Sequence, residues 1–124
     1  MLSVYYNVMN SGGANWAEPV RLSAPVGTFA FSPTICTENG GFGVSSVNLV
    51  AAAGGQLWHS RTSLITAAFS SWTPIADGPA SSPDCVVTGD QGIVHVVTLS
   101  AAGTLREVSG NGAAWAVTDL GSPR

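Results

Sequence analysis

The chain has no lysine and little charge of either sign. It carries four arginines and seven acids, so that 9% of its 124 residues are charged, against roughly 25% in an average soluble domain. Arg21, Arg61, Arg106 and Arg124 stand singly, and the formal net charge is −3. Scattered cations on an acidic chain cannot make the basic track that a phosphate backbone needs, which excludes nucleic acid as a partner. No apolar run reaches the roughly 18 to 20 residues of a helical membrane span, so no membrane partner is expected. The opening Met1-Leu-Ser-Val-Tyr-Tyr6 has no basic region followed by an apolar stretch, and no signal peptide is read there. Cysteine is scarce, with only Cys36 and Cys85. Two free buried thiols are the expectation, and a Cys36–Cys85 disulfide is the alternative. A metal site is discounted because nothing supplies the remaining ligands. Also missing is any helical stripe with a cap at each end.

What the chain does have is apolar. Hydrophobic residues make up 45% of it, and the mean hydropathy is +0.30. Val, Ile, Leu and aromatic residues recur throughout, which excludes disorder, and the length allows one domain with a modest core. Its polar surface must come from Ser, Thr, Asn and Gly. That composition suits an extracytoplasmic binding protein, or a subunit with much of its surface buried against partners.

Internal similarity is the most informative feature. Phe31-Ser-Pro-Thr-Ile-Cys-Thr-Glu-Asn-Gly-Gly41 reads beside Ser81-Ser-Pro-Asp-Cys-Val-Val-Thr-Gly-Asp-Gln-Gly92. Each has Ser-Pro, a short apolar run, then Thr-x-[Asn/Asp]-x-Gly (Thr37, Asn39, Gly41; Thr88, Asp90, Gly92). A second apolar run follows, Val44 to Val50 or Ile93 to Leu99, and after it Ala51-Ala-Ala-Gly-Gly-Gln-Leu-Trp58 matches Ser100-Ala-Ala-Gly-Thr-Leu-Arg106. Each copy ends on a tryptophan, a short run and glycine: Trp72 to Gly78, and Trp115 to Gly121. Pro33 to Pro83 spans 50 residues, Leu57 to Leu105 spans 48, and Trp72 to Trp115 spans 43.

Each piece reads as strand or turn. Thr-x-Asx-x-Gly between apolar runs is turn chemistry, since the Asx side chain accepts backbone N–H groups and Gly tolerates positive φ. The runs are rich in Val, Ile, Thr and Phe. His95 alternates with Val94 and Val96 at period two. Pro33 and Pro83 sit at strand starts, where a missing N–H does least harm. Four short strands per copy are expected: after Ser-Pro, after the Asx-Gly turn, at Leu57 or Leu105, and at the Trp. Leu2-Ser-Val-Tyr-Tyr-Asn7 leads to Trp16 much as Leu57-Trp-His-Ser-Arg61 leads to Trp72. The fold class is therefore all-β, with β-propeller blades of four antiparallel strands. Residues 1–27 form a half blade of two outer strands, 28–78 one blade and 79–124 another, within one domain. Two and a half blades leave edges and apolar faces open, so a ring completed by homo-oligomerisation is expected, with a fragment of a longer propeller as the alternative.

The wording at Ser82-Pro83-Asp84, Gly89-Asp-Gln-Gly-Ile-Val-His-Val96, Gly55-Gln-Leu57-Trp58-His59 and Gly103-Thr-Leu105-Arg106 resembles the bacterial propeller lectins of the Photorhabdus type. Their blades run Ser-Pro, strand, Asp-Gly, strand, Gly-x-Leu-Trp-His, then Trp. The resemblance covers nearly the whole chain and implies non-catalytic binding of fucose or related sugars in pockets between blades. The second copy departs from it, with Leu105-Arg106-Glu107 where the first has Leu57-Trp58-His59. Thr88 to Gly92 is also similar to the Asp-box turn of sialidase-type propellers, which is structural rather than catalytic.

A sugar site needs an aromatic face and a few polar groups. Trp58, His59 and Arg61 lie close together, and alternation puts His59 and Arg61 on one strand face and Trp58 on the other. Trp72 opens the following strand. Asp84 and Glu107 are candidate hydroxyl partners, and Tyr5 and Tyr6 could join a site across chains. The expected ligand-binding set is thus Trp58, His59, Arg61, Trp72, Asp84 and Glu107. Against it stands a plainer reading: tryptophans that recur with the repeat (Trp16, Trp72, Trp115) are packing residues, and His59 and Arg61 are solvated strand side chains. No nucleophile elbow, metal-spaced cluster or phosphate-cradling loop occurs, so no catalytic residue and no cofactor are expected. The functional alternatives are a structural or protein-interaction propeller and, less favoured, a glycosidase, for which no pair of carboxylates is marked out.

On the cysteines the two copies' anchors disagree. Counting from Ser-Pro puts Cys36 and Cys85 on opposite strand faces, and counting back from Thr37 and Thr88 puts them on the same face.

Overall fold

A computed structural model of the chain describes residues 3–7, 20–40, 43–63, 71–88, 92–111 and 114–121. Trp16, Gly41 and Asp90, singled out above, lie outside these residues. Every regular element among them is a strand. β1 (Val4–Tyr6) pairs with β2 (Val20–Leu22). β3 (Thr34–Gly40), β4 (Gly43–Ala53), β5 (Gln56–Ser63) and β6 (Thr73–Asp77) form one antiparallel sheet in chain order. β7 (Asp84–Thr88), β8 (Ile93–Leu99), β9 (Leu105–Gly110) and β10 (Trp115–Gly121) form a second of the same kind. These are four-stranded antiparallel meanders of the propeller-blade type, so the all-β reading stands. Pro33 and Pro83 each directly precede the first strand of a sheet.

Burial follows from how the sheets stack. One core joins Val50, Ala52, Leu57 and Ile75 of the first sheet to Val94, Val96 and Val108 of the second. Another joins Leu49 and Ala51 of the first sheet to Leu22 beside β1 and to Phe29. β4 therefore lies between two layers, and its end is buried continuously: Val50, Ala51 and Ala53 are fully covered. A strand covered on both faces reads as an unbroken apolar run. β8 is covered on one face only and alternates, with Val94, Val96 and Thr98 buried between more exposed neighbours.

Two expectations are corrected. Thr37 to Asn39 is strand rather than turn: Thr37 pairs with Val47 and Asn39 with Val44, with a bulge after Glu38. Cross-strand pairing outcompetes the local turn propensity of Asn here, and β3 runs on to Gly40. The cysteines are not free thiols. Cys36 of β3 and Cys85 of β7 form a disulfide with Cα atoms 5.8 Å apart. Cys36 stands at the register of Asn48 and Arg61, and its counterpart in the second sheet, by the register of Ser109 and His95, is Val86, next to Cys85. The two cysteines occupy opposite faces of equivalent strands, as the Ser-Pro count has it. Stacked sheets require this, because the front of one meets the back of the next.

Candidate functional site

Directly paired residues share a sheet face, and so do residues two apart. The register Arg61–Asn48, His59–Val50 and Glu38–Ser46 therefore puts Glu38, Asn48, His59 and Arg61 on one face of the first sheet, turned toward the second. Arg61 grips the Glu38 carboxylate with two nitrogens, Nη2 donating to Oε1 at 2.9 Å and Nε lying 2.8 Å from Oε2. Asn48 Nδ2 donates to Glu38 Oε2 at 3.1 Å, and Asn48 Oδ1 lies 2.8 Å from His59 Nε2. The amide oxygen can only accept, so His59 donates from Nε2 and is the neutral Nε2–H tautomer. Its ring meets that of Trp115, on β10 of the second sheet, at a centroid distance of 4.9 Å.

Electrostatics agree with that tautomer. Burial, then the Arg61 charge, holds His59 down at about 4, with Glu38 acting in the opposite direction. Asn48 is fully buried and His59 is 5% exposed, whereas the Arg61 side chain is 47% exposed. The chain of contacts runs from a solvent-facing guanidinium inward to a dry imidazole. The bidentate fork is the strong form of such a pair.

Two glycines of the second sheet shape the wall opposite. Gly92, at φ +65° after β7, lies so close that a Cβ there would overlap the Glu38 carboxylate. Gly110 pairs with Trp115 across β9 and β10, and a Cβ on it would press on the indole.

The six expected site residues fall into three places. His59 and Arg61 belong to this cluster. Trp58 and Trp72 sit elsewhere: Trp58 pairs with Ala51 on the opposite face and donates to the Ala53 carbonyl at 2.9 Å. Trp72 donates to the Ser23 carbonyl at 3.2 Å and meets Phe29 edge-on at 6.1 Å. Asp84 and Glu107, both opposite Val97, share the outer face of the second sheet. There His95 Nδ1 lies 3.6 Å from Glu107 Oε1, and Thr88 Oγ1 lies 2.7 Å from His95 Nε2. Tyr5 is exposed on β1. Sequence reasoning missed Glu38 and Asn48. Asn48, the one amide in an otherwise apolar strand end, was the available signal, since a buried amide needs polar partners.

No protein-family model matches this sequence, and no curated protein matches it. Among solved structures, the chain is similar in fold to a fucose lectin from Kordia zhangzhouensis, solved in complex with methyl-fucoside. The likeness covers 97% of this chain and 92% of that one, at a TM-score of 0.56 and 12% identity. At that identity it establishes a shared, lectin-like fold.

Proposed function

We propose that this chain is a carbohydrate-binding, non-catalytic propeller module of the kind found in the Photorhabdus-type lectins, taking fucose or a related sugar between the two four-stranded sheets. The observation that carries this is the Arg61–Glu38 fork at the mouth of the inter-sheet face, braced by Asn48 and His59, with the Trp115 ring on the facing sheet. Such a fork offers directed donors and acceptors to vicinal hydroxyls, and an indole offers a stacking face. Arg61 and Glu38 contact the ligand, Trp115 stacks on it, and His59 and Asn48 position the fork. The reading is non-catalytic because this cluster contains one carboxylate, already engaged by Arg61, whereas glycoside hydrolysis uses two flanking the bond. The lectin-like fold supports the same reading.

Each four-stranded sheet is taken as one blade (28–78 and 79–124), with 1–27 supplying the outer half of another, and copies associate into a ring. Support comes from the bare faces. Ile35 is 62% exposed on β3, on the face it shares with Leu49, and Val86 is 55% exposed on the outer face of the second sheet. Titration with methyl-fucoside by calorimetry tests the site: binding is expected, and Arg61→Gln weakens it at least about tenfold. A folded protein that binds nothing on a broad glycan panel overturns the reading. The same exposed residues favour the second reading, a protein-interaction propeller, which predicts protein partners in a pull-down and no response to sugar.

A further inference from the structure

Beside β2 the structure has a cleft of about 490 Å³ whose described lining includes Ser3, Arg21, Leu22, Ser23, Thr28 and Phe29. That size falls within the roughly 300 to 1,000 Å³ of small-molecule sites, and it lies outside the Arg61 cluster. Leu22 and Phe29 are buried and belong to the core beneath, and Arg21, opposite Tyr5, takes the other face of β2. Among the described lining residues Ser3, Ser23 and Thr28 carry hydroxyls and Arg21 a guanidinium. No carboxylate is among the described lining residues, and Arg21 makes no ion pair with any described residue.

The wall from Ser23 to Ala30 is pinned to the first sheet at three points. Trp72 Nε1 donates to the Ser23 carbonyl, Phe29 forms a β-bridge with Ala53, and the Ala30 N–H donates to the Ala52 carbonyl at 2.9 Å. A site on so fixed a frame loses little freedom when it is filled. Trp72, whose indole is spent on this brace, supports the cleft from behind.

We propose that this cleft binds a sugar acid, a pyranose bearing one carboxylate. Ser3, Ser23 and Thr28 match ring hydroxyls, and Arg21 presents the planar fork that suits a carboxylate. One cation without a helix N-terminus matches a single negative charge and falls short of a phosphate dianion. A guanidinium with no ion pair to a described residue discriminates against the neutral sugar of the same shape. The proposal is independent of the reading of the Arg61 site.

Calorimetry and backbone NMR with methyl β-D-glucuronide and methyl β-D-glucoside, which differ only at C6, test it at low salt. The glucuronide is expected to bind at least about tenfold tighter than the glucoside, with amide shifts confined to Ser3, its β1 neighbours and residues 21–30. Arg21 is an exposed strand residue, so Arg21→Gln keeps the fold; it brings the glucuronide to the glucoside's affinity, and Arg61→Gln leaves the difference intact. Equal affinity for the two glycosides, no binding of either, or a loss that follows Arg61→Gln instead of Arg21→Gln overturns the proposal. The last outcome moves the ligand to the inter-sheet cluster.

Discussion

Asn48 is fully buried and answers two demands at once, donating to Glu38 and accepting from His59. Asn48→Ala takes one donor from Glu38, which Arg61 still holds, and leaves the His59 Nε2–H without its acceptor in a dry interior; the expected loss is about 2–4 kcal/mol in denaturant unfolding. His59 gives a pH signature. Its folded value near 4 lies below the ordinary 6.5, so between those limits the unfolded chain binds a proton that the folded chain does not. Stability contributed by the neutral, buried ring is therefore complete above about pH 6.5 and is lost as pH falls toward 4, by up to roughly 3 kcal/mol. Urea midpoints at pH 7 and pH 4.5 measure it, and His59→Gln, which keeps a donor for Asn48 but cannot titrate here, flattens the slope relative to the wild type. Unchanged slopes would contradict the assignment. Both residues stood in the sequence as one polar letter in a strand. Their faces were legible from alternation, and their burial was not.

Strands and turns follow from local chemistry wherever one neighbour decides. The Ser-Pro starts, the period-two pattern of β8 and the tryptophan at the head of β10 were all readable. The turn after β3 was misjudged because bulged pairing with β4 holds Thr37 to Asn39 extended. Gly92 shows how a turn in one sheet serves the next. It needs both a positive φ and the absence of a side chain beside Glu38, so Gly92→Ala is expected to lower Tm by several degrees and, at the proposed sugar site, to weaken methyl-fucoside binding with it. Gly110→Ala keeps an ordinary φ, but its Cβ meets the Ala114 carbonyl oxygen as well as the indole, so it shifts the start of β10 and displaces Trp115 from its place over His59; the readout is a changed indole environment in near-ultraviolet circular dichroism.

At the scale of the molecule, the sheets are joined by two cores and one covalent bond. Cys36–Cys85 closes a loop with a sequence separation of 49, worth about 4 kcal/mol in the chain-entropy account. The double variant Cys36→Ala/Cys85→Ala is therefore expected to lose roughly 3–4 kcal/mol of unfolding free energy, and reducing agent should do the same to the wild type. Assembly is read from mass. Light scattering is expected to give a defined multiple of 12.6 kDa, and Ile35→Asp, which charges an exposed apolar face, should lower it. A wild-type monomer at 12.6 kDa removes the ring.

By itself the sequence determined the repeat, the strand order within each copy and, through the period-two geometry of a strand, which side chains share a face. It could not determine what that face meets. Val86 and Cys36 hold equivalent places in the two sheets, yet one is bare and the other is bonded to the neighbouring sheet. His95 stands between Val94 and Val96, and His59 between Trp58 and Ser60; the His59 ring lies buried beneath an indole, and the His95 ring sits on the outer face beside Thr88 and Glu107. Pairing within a sheet is fixed by short turns along the chain, whereas the contacts between sheets join residues about fifty apart and exist only once the layers have stacked.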